Sequence, residues 1–350
     1  MSFKKFFCIF LFLGHILGLQ AQDKDKEIPN KPVELAGELY QTKSQNLLAL
    51  TYQNKPKWHT YWKNPGDAGL PITTRILIDG EEIELKDLEW PAPKKYIEPG
   101  DILAYGFELD YSLFFSLPSE FFKEHAGKDI EIHSKWLVCK HICIPGEKKL
   151  KGEITEENLR FSNNDFSPAK DQIDQHFSSL PQKISRPKSL DITLARAKDK
   201  NQLILYYSTS SKFKSSNFQN QNLLTPFPQD LFSFLHEKLF KDNQGKLYGK
   251  MLIDWDGVYE DPEIKLPKDG NFKTPREMKF LWVHPLSSQV SVVEKTFDQF
   301  QTDIYQSTED FYSTLTPVEF DLKAKILDES KNENPSTSNQ APSTSLWSFL

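Results

Sequence analysis

What most limits the fold of this chain is the regularity with which short β-prone runs are broken by turn residues. Residues 33–39, 47–52, 72–78, 111–117 and 129–138 carry the β-branched, aromatic and apolar side chains of strands. Between them stand Asn64-Pro65-Gly66-Asp67 and Glu98-Pro99-Gly100-Asp101, where proline fixes φ and glycine admits positive φ, so both read as rigid turns. Asp79-Gly80 is the signature of a two-residue hairpin. Trp58, Thr60 and Trp62 alternate with His59 and Tyr61, which is strand periodicity. The aromatic side chains here read either as sandwich core or as a cover over a site. With 26 Phe and 22 Pro against three Met, the composition also favours many turns and short elements. The expectation is an all-β chain, with an immunoglobulin-like sandwich over residues 30–160.

The texture changes at residues 161–188, where Ser162-Asn163-Asn164-Asp165 and Ser167-Pro168 break regular structure and residues 172–180 can form one helix. This segment reads as a connector. Strand patterns resume at 190–197, 202–209, 248–255, 279–284 and 290–293, with a helix expected over 230–240, so residues 189–327 read as a second β-sandwich in tandem with the first. At the start, Lys4 and Lys5 precede an apolar run over 6–19 and a small residue, Ala21. Residues 1–21 therefore read as a signal peptide, which would remove Cys8. Residues 328–345 are Glu, Ser, Asn, Pro and Thr with few apolar side chains and read as a disordered linker. The apolar residues 346–350 that follow read as the start of a membrane helix.

A net charge of −6 without a dense Lys/Arg cluster argues against a nucleic-acid partner, because phosphate binding needs concentrated positive charge. Asp254-Trp255-Asp256-Gly257 with Glu260-Asp261 has its glycine too early for a calcium loop and reads as a solvated acidic loop. His125, His176, His236 and His284 stand alone, and no hydrolase triad, phosphate loop or paired catalytic carboxylates can be argued from spacing.

Attention falls on Cys139 and Cys143, the two cysteines beyond the signal peptide. They flank Lys140-His141-Ile142, a stretch the length of a three-residue hairpin loop, which would set the sulfurs across neighbouring strand ends. Three readings stay open from these residues. A structural staple is the usual fate of such a pair in an exported protein, yet closing so short a loop stabilises by only on the order of 2 kcal/mol. A redox pair would draw thiolate character from the charges of Lys140 and His141. A metal site would need His141 or His133 beside the two sulfurs, without the usual Cys-x-x-Cys spacing of structural zinc. A non-enzymatic exported binding module with a structural disulfide, handling copper, is the corresponding alternative to an enzyme.

Three segments then bring a family into view: Trp58-His59-Thr60-Tyr61-Trp62-Lys63-Asn64-Pro65-Gly66-Asp67-Ala68-Gly69-Leu70-Pro71, Trp90-Pro91-Ala92-Pro93, and residues 136–147 around the cysteines. Together they resemble the periplasmic N-terminal region of the DsbD/ScsB family of thiol:disulfide interchange proteins, and the close cysteine spacing is similar to the ScsB branch. Pro226-Phe227-Pro228 is similar in placement to the rest of that region. The resemblance implies immunoglobulin-like folds, no cofactor and no metal, and a redox pair at Cys139 and Cys143. In the better-known branch the later cysteine takes the mixed disulfide, a role that would fall on Cys143 with Cys139 resolving. It further implies a periplasmic location, inner-membrane anchoring of the complete protein and a membrane-embedded redox domain as electron donor. Thioredoxin-like or peroxiredoxin-like clients, with a link to cytochrome c biogenesis, complete the set of expectations. The membrane and thioredoxin-like domains of that family have no counterpart in these residues.

Overall fold

The computed structural model describes residues 29–98, 100, 102–184, 189–198, 202–212, 223–228, 233–254, 266–284 and 289–318. The expected signal peptide, linker and apolar stub, and the acidic loop after Asp254, lie outside them. The first part of the chain forms β1 (Val33–Gln41), β2 (Asn46–Asn54), β3 (His59–Gly66), β4 (Thr73–Ile78), β5 (Glu81–Ile83), β6 (Lys94–Glu98), β7 (Ile102–Phe107) and β8 (Tyr111–Leu117). A short helix α1 (Phe121–His125), β9 (Asp129–Cys139), β10 (Cys143–Ile154) and β11 (Leu159–Phe161) complete it.

Local sequence explains these elements. Asp79 and Gly80 both take positive φ, 49° and 85°, and close the β4–β5 hairpin. Along β9 the alternate residues Ile130, Ile132, Ser134, Trp136 and Val138 turn inward and are buried. The expected turn at Asn64-Pro65-Gly66 is instead the end of β3, carried past the prolyl residue by a break in register between Tyr61 and Gly66. Strands β1, β2 and β8 form one sheet. The other runs β11-β10-β9-β3-β7-β6, with β4 sharing the edge of β9 beside β3 and β5 paired to β4. Leu35, Leu48, Leu50 and Tyr52 from the first sheet meet Trp62, Leu103, Ile130 and Ile132 from the second in one buried core.

Helix α2 (Lys170–Ser178) falls where a helix was expected, and Ile173 packs with Leu47, Ala49 and Phe114 on the outer face of the first sheet. Beyond it come β12 (Gln182–Lys183), β13 (Leu190–Arg196), β14 (Gln202–Lys212), β15 (Leu224–Pro226), β16 (Ser233–Lys241), β17 (Lys246–Asp254), β18 (Asn271–Val283), β19 (Val290–Gln299), α3 (Tyr305–Ser313) and β20 (Thr316–Val318). They make a second pair of sheets, ordered β12-β19-β18-β15 and β13-β14-β17-β16-β20, whose facing residues include Leu203, Met251, Phe280 and Trp282. The helix expected over 230–240 is overturned: residues 233–241 are strand β16, paired on both edges by β17 and β20. The leucine spacing there has a helical look, but two ladders and the burial of Glu237 and Leu239 on one face decide for strand. The described structure is thus all-β, with helices as minor additions. The two sheet pairs touch, since Phe227, Leu281 and Val292 of the second join the core of the first.

Candidate functional site

The β9–β10 ladder places Cys139 opposite Cys143, and the Lys140 N–H donates to the Ile142 carbonyl at 3.1 Å to close the three-residue turn. The two sulfurs are disulfide-bonded across the end of this hairpin. Their surroundings differ. Cys139 is only 2% exposed, whereas Cys143 is exposed and follows Ile142, an apolar side chain left 49% open.

Cys139 is buried because β3 runs beside it, with His59 paired to Cys139 and Thr60 to Val138. Alternation along β3 sends Trp62 to the core and Tyr61 toward the sulfurs. The Tyr61 hydroxyl lies 3.0 Å from Cys139 Sγ, 4.0 Å from Cys143 Sγ and 2.8 Å from Glu98 Oε1. His59 Nε2 lies 2.9 Å from the same Glu98 oxygen, and the Tyr96 ring stacks on the His59 ring at 4.8 Å. Glu98 and Tyr96 share one face of β6, two strands away from β3, with Ala104 of the intervening β7 in the same buried group.

Electrostatics fix the roles these groups can take. Burial pushes the Glu98 carboxyl up, but hydrogen bonds from His59 and Tyr61 outweigh it and hold the group below the usual carboxylate range. Burial, with the adjacent Glu98 carboxylate, pushes the Tyr61 phenol well above its ordinary value. Tyr61 therefore keeps its proton at neutral pH. One O–H between a carboxylate and a sulfur can donate to either, so Tyr61 is a donor held ready for negative charge on Cys139.

The structure brings together the two cysteines named from sequence and places Lys140 and His141 in the turn between them. It separates His133, which bonds Glu131 and sits six residues down β9, roughly 20 Å at about 3.3 Å per residue. Among the described residues no group of three His, Cys, Asp or Glu side chains is arranged to hold a metal ion. Of the alternating aromatic segment, Trp58 and Trp62 are core, while Tyr61 does lie against the disulfide. Glu98 and Tyr96 were not singled out from sequence. Glu98 reads as part of a turn, and only the lateral order of β3, β7 and β6 carries it to Tyr61.

Comparison with known proteins places this geometry. The chain's fold is similar to the crystal structure of the N-terminal periplasmic domain of ScsB from Proteus mirabilis, with a TM-score of 0.54 and 15% identity, over 78% of this chain and 96% of that one. A match of that extent reaches into the second sheet pair. No curated protein matches the chain. Among the described residues no helix is long and apolar enough to cross a membrane. Residues 31–154 match the family model of the thiol:disulfide interchange protein DsbD, N-terminal. That match spans the region that holds His59, Tyr61, Glu98 and both cysteines, so the part of the chain that carries the disulfide is the part similar to the N-terminal region of the thiol:disulfide interchange protein DsbD.

Proposed function

We propose that the chain is an exported thiol-disulfide exchange protein that passes reducing equivalents through Cys139 and Cys143 to periplasmic thioredoxin-like or peroxiredoxin-like proteins, fed by a membrane-embedded redox donor. The observation that carries the reading is the asymmetry of the disulfide, one sulfur exposed and the other buried against a tyrosine hydroxyl. We further read the two sheet pairs as tandem immunoglobulin-like domains over residues 30–160 and 189–327.

In the reduced pair, the exposed Cys143 thiolate attacks a client disulfide. A bond forms between Cys143 Sγ and one client sulfur, and the other client sulfur leaves with the electron pair and takes a proton from solvent. Cys139 then attacks Cys143 Sγ as thiolate, with Tyr61 donating to its charge until the new bond forms. The second client sulfur is expelled and protonated, the Cys139–Cys143 disulfide closes, and two electrons have passed to the client. Glu98 holds the Tyr61 hydroxyl in place between turnovers, and no cofactor enters these steps.

The experiment is client reduction by the reduced chain. Cys139→Ser is expected to accumulate a client cross-linked through Cys143, visible by non-reducing electrophoresis and mass spectrometry, and Cys143→Ser to lose both cross-link and turnover. A double variant that reduces the client at the original rate overturns the reading. So does a redox titration that places the pair below about −300 mV, where structural disulfides sit.

A further inference from the structure

The strands that carry the side chains around Cys139 also meet the second sheet pair. On β3, Tyr61 faces the sulfur, while Trp62 meets the Phe227 ring with centroids 4.8 Å apart. Two residues on, the Asn64 side chain donates to the Pro226 carbonyl at 3.0 Å. Phe227 is held in turn by Lys279, whose ammonium lies 4.3 Å from the ring centroid and 2.7 Å from Glu89 of the first sheet pair. On β6, Tyr96 and Glu98 lie on the side of His59, whereas Lys95, of opposite parity, is buried and interacts electrostatically with the buried Glu237 of β16.

The contact falls where β3 is least supported by its own sheet. β3 pairs with β9 only at His59 and Thr60, and its register with β7 breaks between Tyr61 and Gly66. Trp62 and Asn64 lie within that break. A segment without ladder partners takes its position from side-chain packing, and here Phe227 and Pro226 of the second sheet pair add to the packing of Trp62 in the first core.

We propose that the second sheet pair is a positioning element for the redox pair, seating Trp62 and Asn64 so that the Tyr61 hydroxyl stays at Cys139 Sγ. Loss of that seat removes the donor from the Cys139 thiolate, which disfavours the reduced state. The proposal rests on the exchange reading for its purpose, but its test uses a small thiol, so the two can fail separately.

The full chain is equilibrated with glutathione, two molecules of which are oxidised for each disulfide reduced, and the dithiol fraction is read by alkylation and mass spectrometry. Phe227→Ala is expected to lower the equilibrium constant for reduction about fivefold, and Tyr61→Phe at least as much. The double variant should fall no further than Tyr61→Phe alone, since both act on one hydroxyl. Phe227→Leu, a milder change measured in parallel, should shift the constant in the same direction and decides the matter if the alanine variant does not fold. Ile204→Ala, in the separate buried cluster with Tyr206 and Tyr312, should lower stability and leave the constant unchanged. Folded Phe227 variants with the original constant, additive effects of the two substitutions, or an equal shift in Ile204→Ala would each overturn the proposal. If this pattern holds in a chain that fails to reduce client proteins, the exchange reading falls and the positioning role stands.

Discussion

The two sheet pairs each contain a tyrosine hydrogen-bonded to a glutamate, and the contrast between them separates chemistry from packing. In the first, Tyr61 donates to Glu98, His59 bonds the same carboxyl oxygen, and Cys139 Sγ lies within reach of the phenol. In the second, Tyr207 donates to Glu237, whose other partners are the backbone N–H groups of Leu223 and Leu224. Glu98 is held below the ordinary carboxylate range despite its burial, whereas burial pushes Glu237 up to about 7 against the pull of Lys95, Tyr207 and those two amides. The same two side chains thus give a standing carboxylate beside a sulfur in one place and a sequestered carboxyl in the other. What differs is the rest of the surroundings: a histidine and a sulfur in one case, two backbone amides and the Lys95 ammonium in the other.

The largest effects should come from removing each hydroxyl. Tyr207→Phe leaves Glu237 fully buried and short of a donor, so unfolding stability should fall by about 3 kcal/mol while client reduction stays within about threefold. Tyr61→Phe should do the reverse, slowing client reduction about tenfold or more through loss of a hydrogen bond to a thiolate, with a stability loss of only about 1 kcal/mol. Urea unfolding and single-turnover client reduction on the same preparations measure both. If Tyr207→Phe slows exchange as much as Tyr61→Phe, the contrast between the two pairs is lost.

The carboxyls themselves should produce opposite pH dependence. Glu237 has a folded value near 7 against about 4.5 unfolded, so between those values the folded chain keeps a proton that the unfolded chain has released. Stability then falls as pH rises from about 4.5 to 7, by roughly 2–3 kcal/mol, and stays level above. Glu237→Gln should flatten that slope and leave the protein more stable at pH 8. Glu98 is depressed in the folded chain, so its contribution is fully present above about 4.5 and is lost as pH falls through its folded value. Glu98→Gln should therefore change the acid limb alone. Urea midpoints from pH 3 to 8 for the two variants test the signs, and a Glu237→Gln profile that keeps the slope at pH 4.5–7 contradicts the assignment.

How much of this was legible in the sequence follows the range of the interactions. The cysteine hairpin could be read because both cysteines flank a three-residue turn, and β8 could be read to its bounds because Tyr111 to Leu117 is β-prone between breakers. Asp79-Gly80 closes its hairpin for reasons local to two residues. Residues 233–241 misled because pairing with β17 and β20, which lie later in the chain, outweighs a helical spacing of leucines. Glu98 escaped for the same reason, since nothing within several residues of it signals that β7 will set it two strands from Tyr61.

The smallest expected effects test whether ring position matters only where a sulfur is present. Each tyrosine has a glycine against it: a Cβ at Gly69 would overlap the Tyr61 ring, and one at Gly249 would overlap the Tyr207 ring. Gly69 also takes a φ of 107°, where an L side chain is strained. Alanine at either position must displace a ring or shift a strand, at about 1–2 kcal/mol of stability in each case. The chemical outcome should divide. Gly69→Ala moves the Tyr61 hydroxyl relative to Cys139 and should slow client reduction about threefold, in excess of any change in folded population. Gly249→Ala moves a ring that bonds only Glu237 and should leave the rate unchanged. Equal slowing in both variants would show that stability, and not the position of the Tyr61 hydroxyl, governs exchange at Cys139.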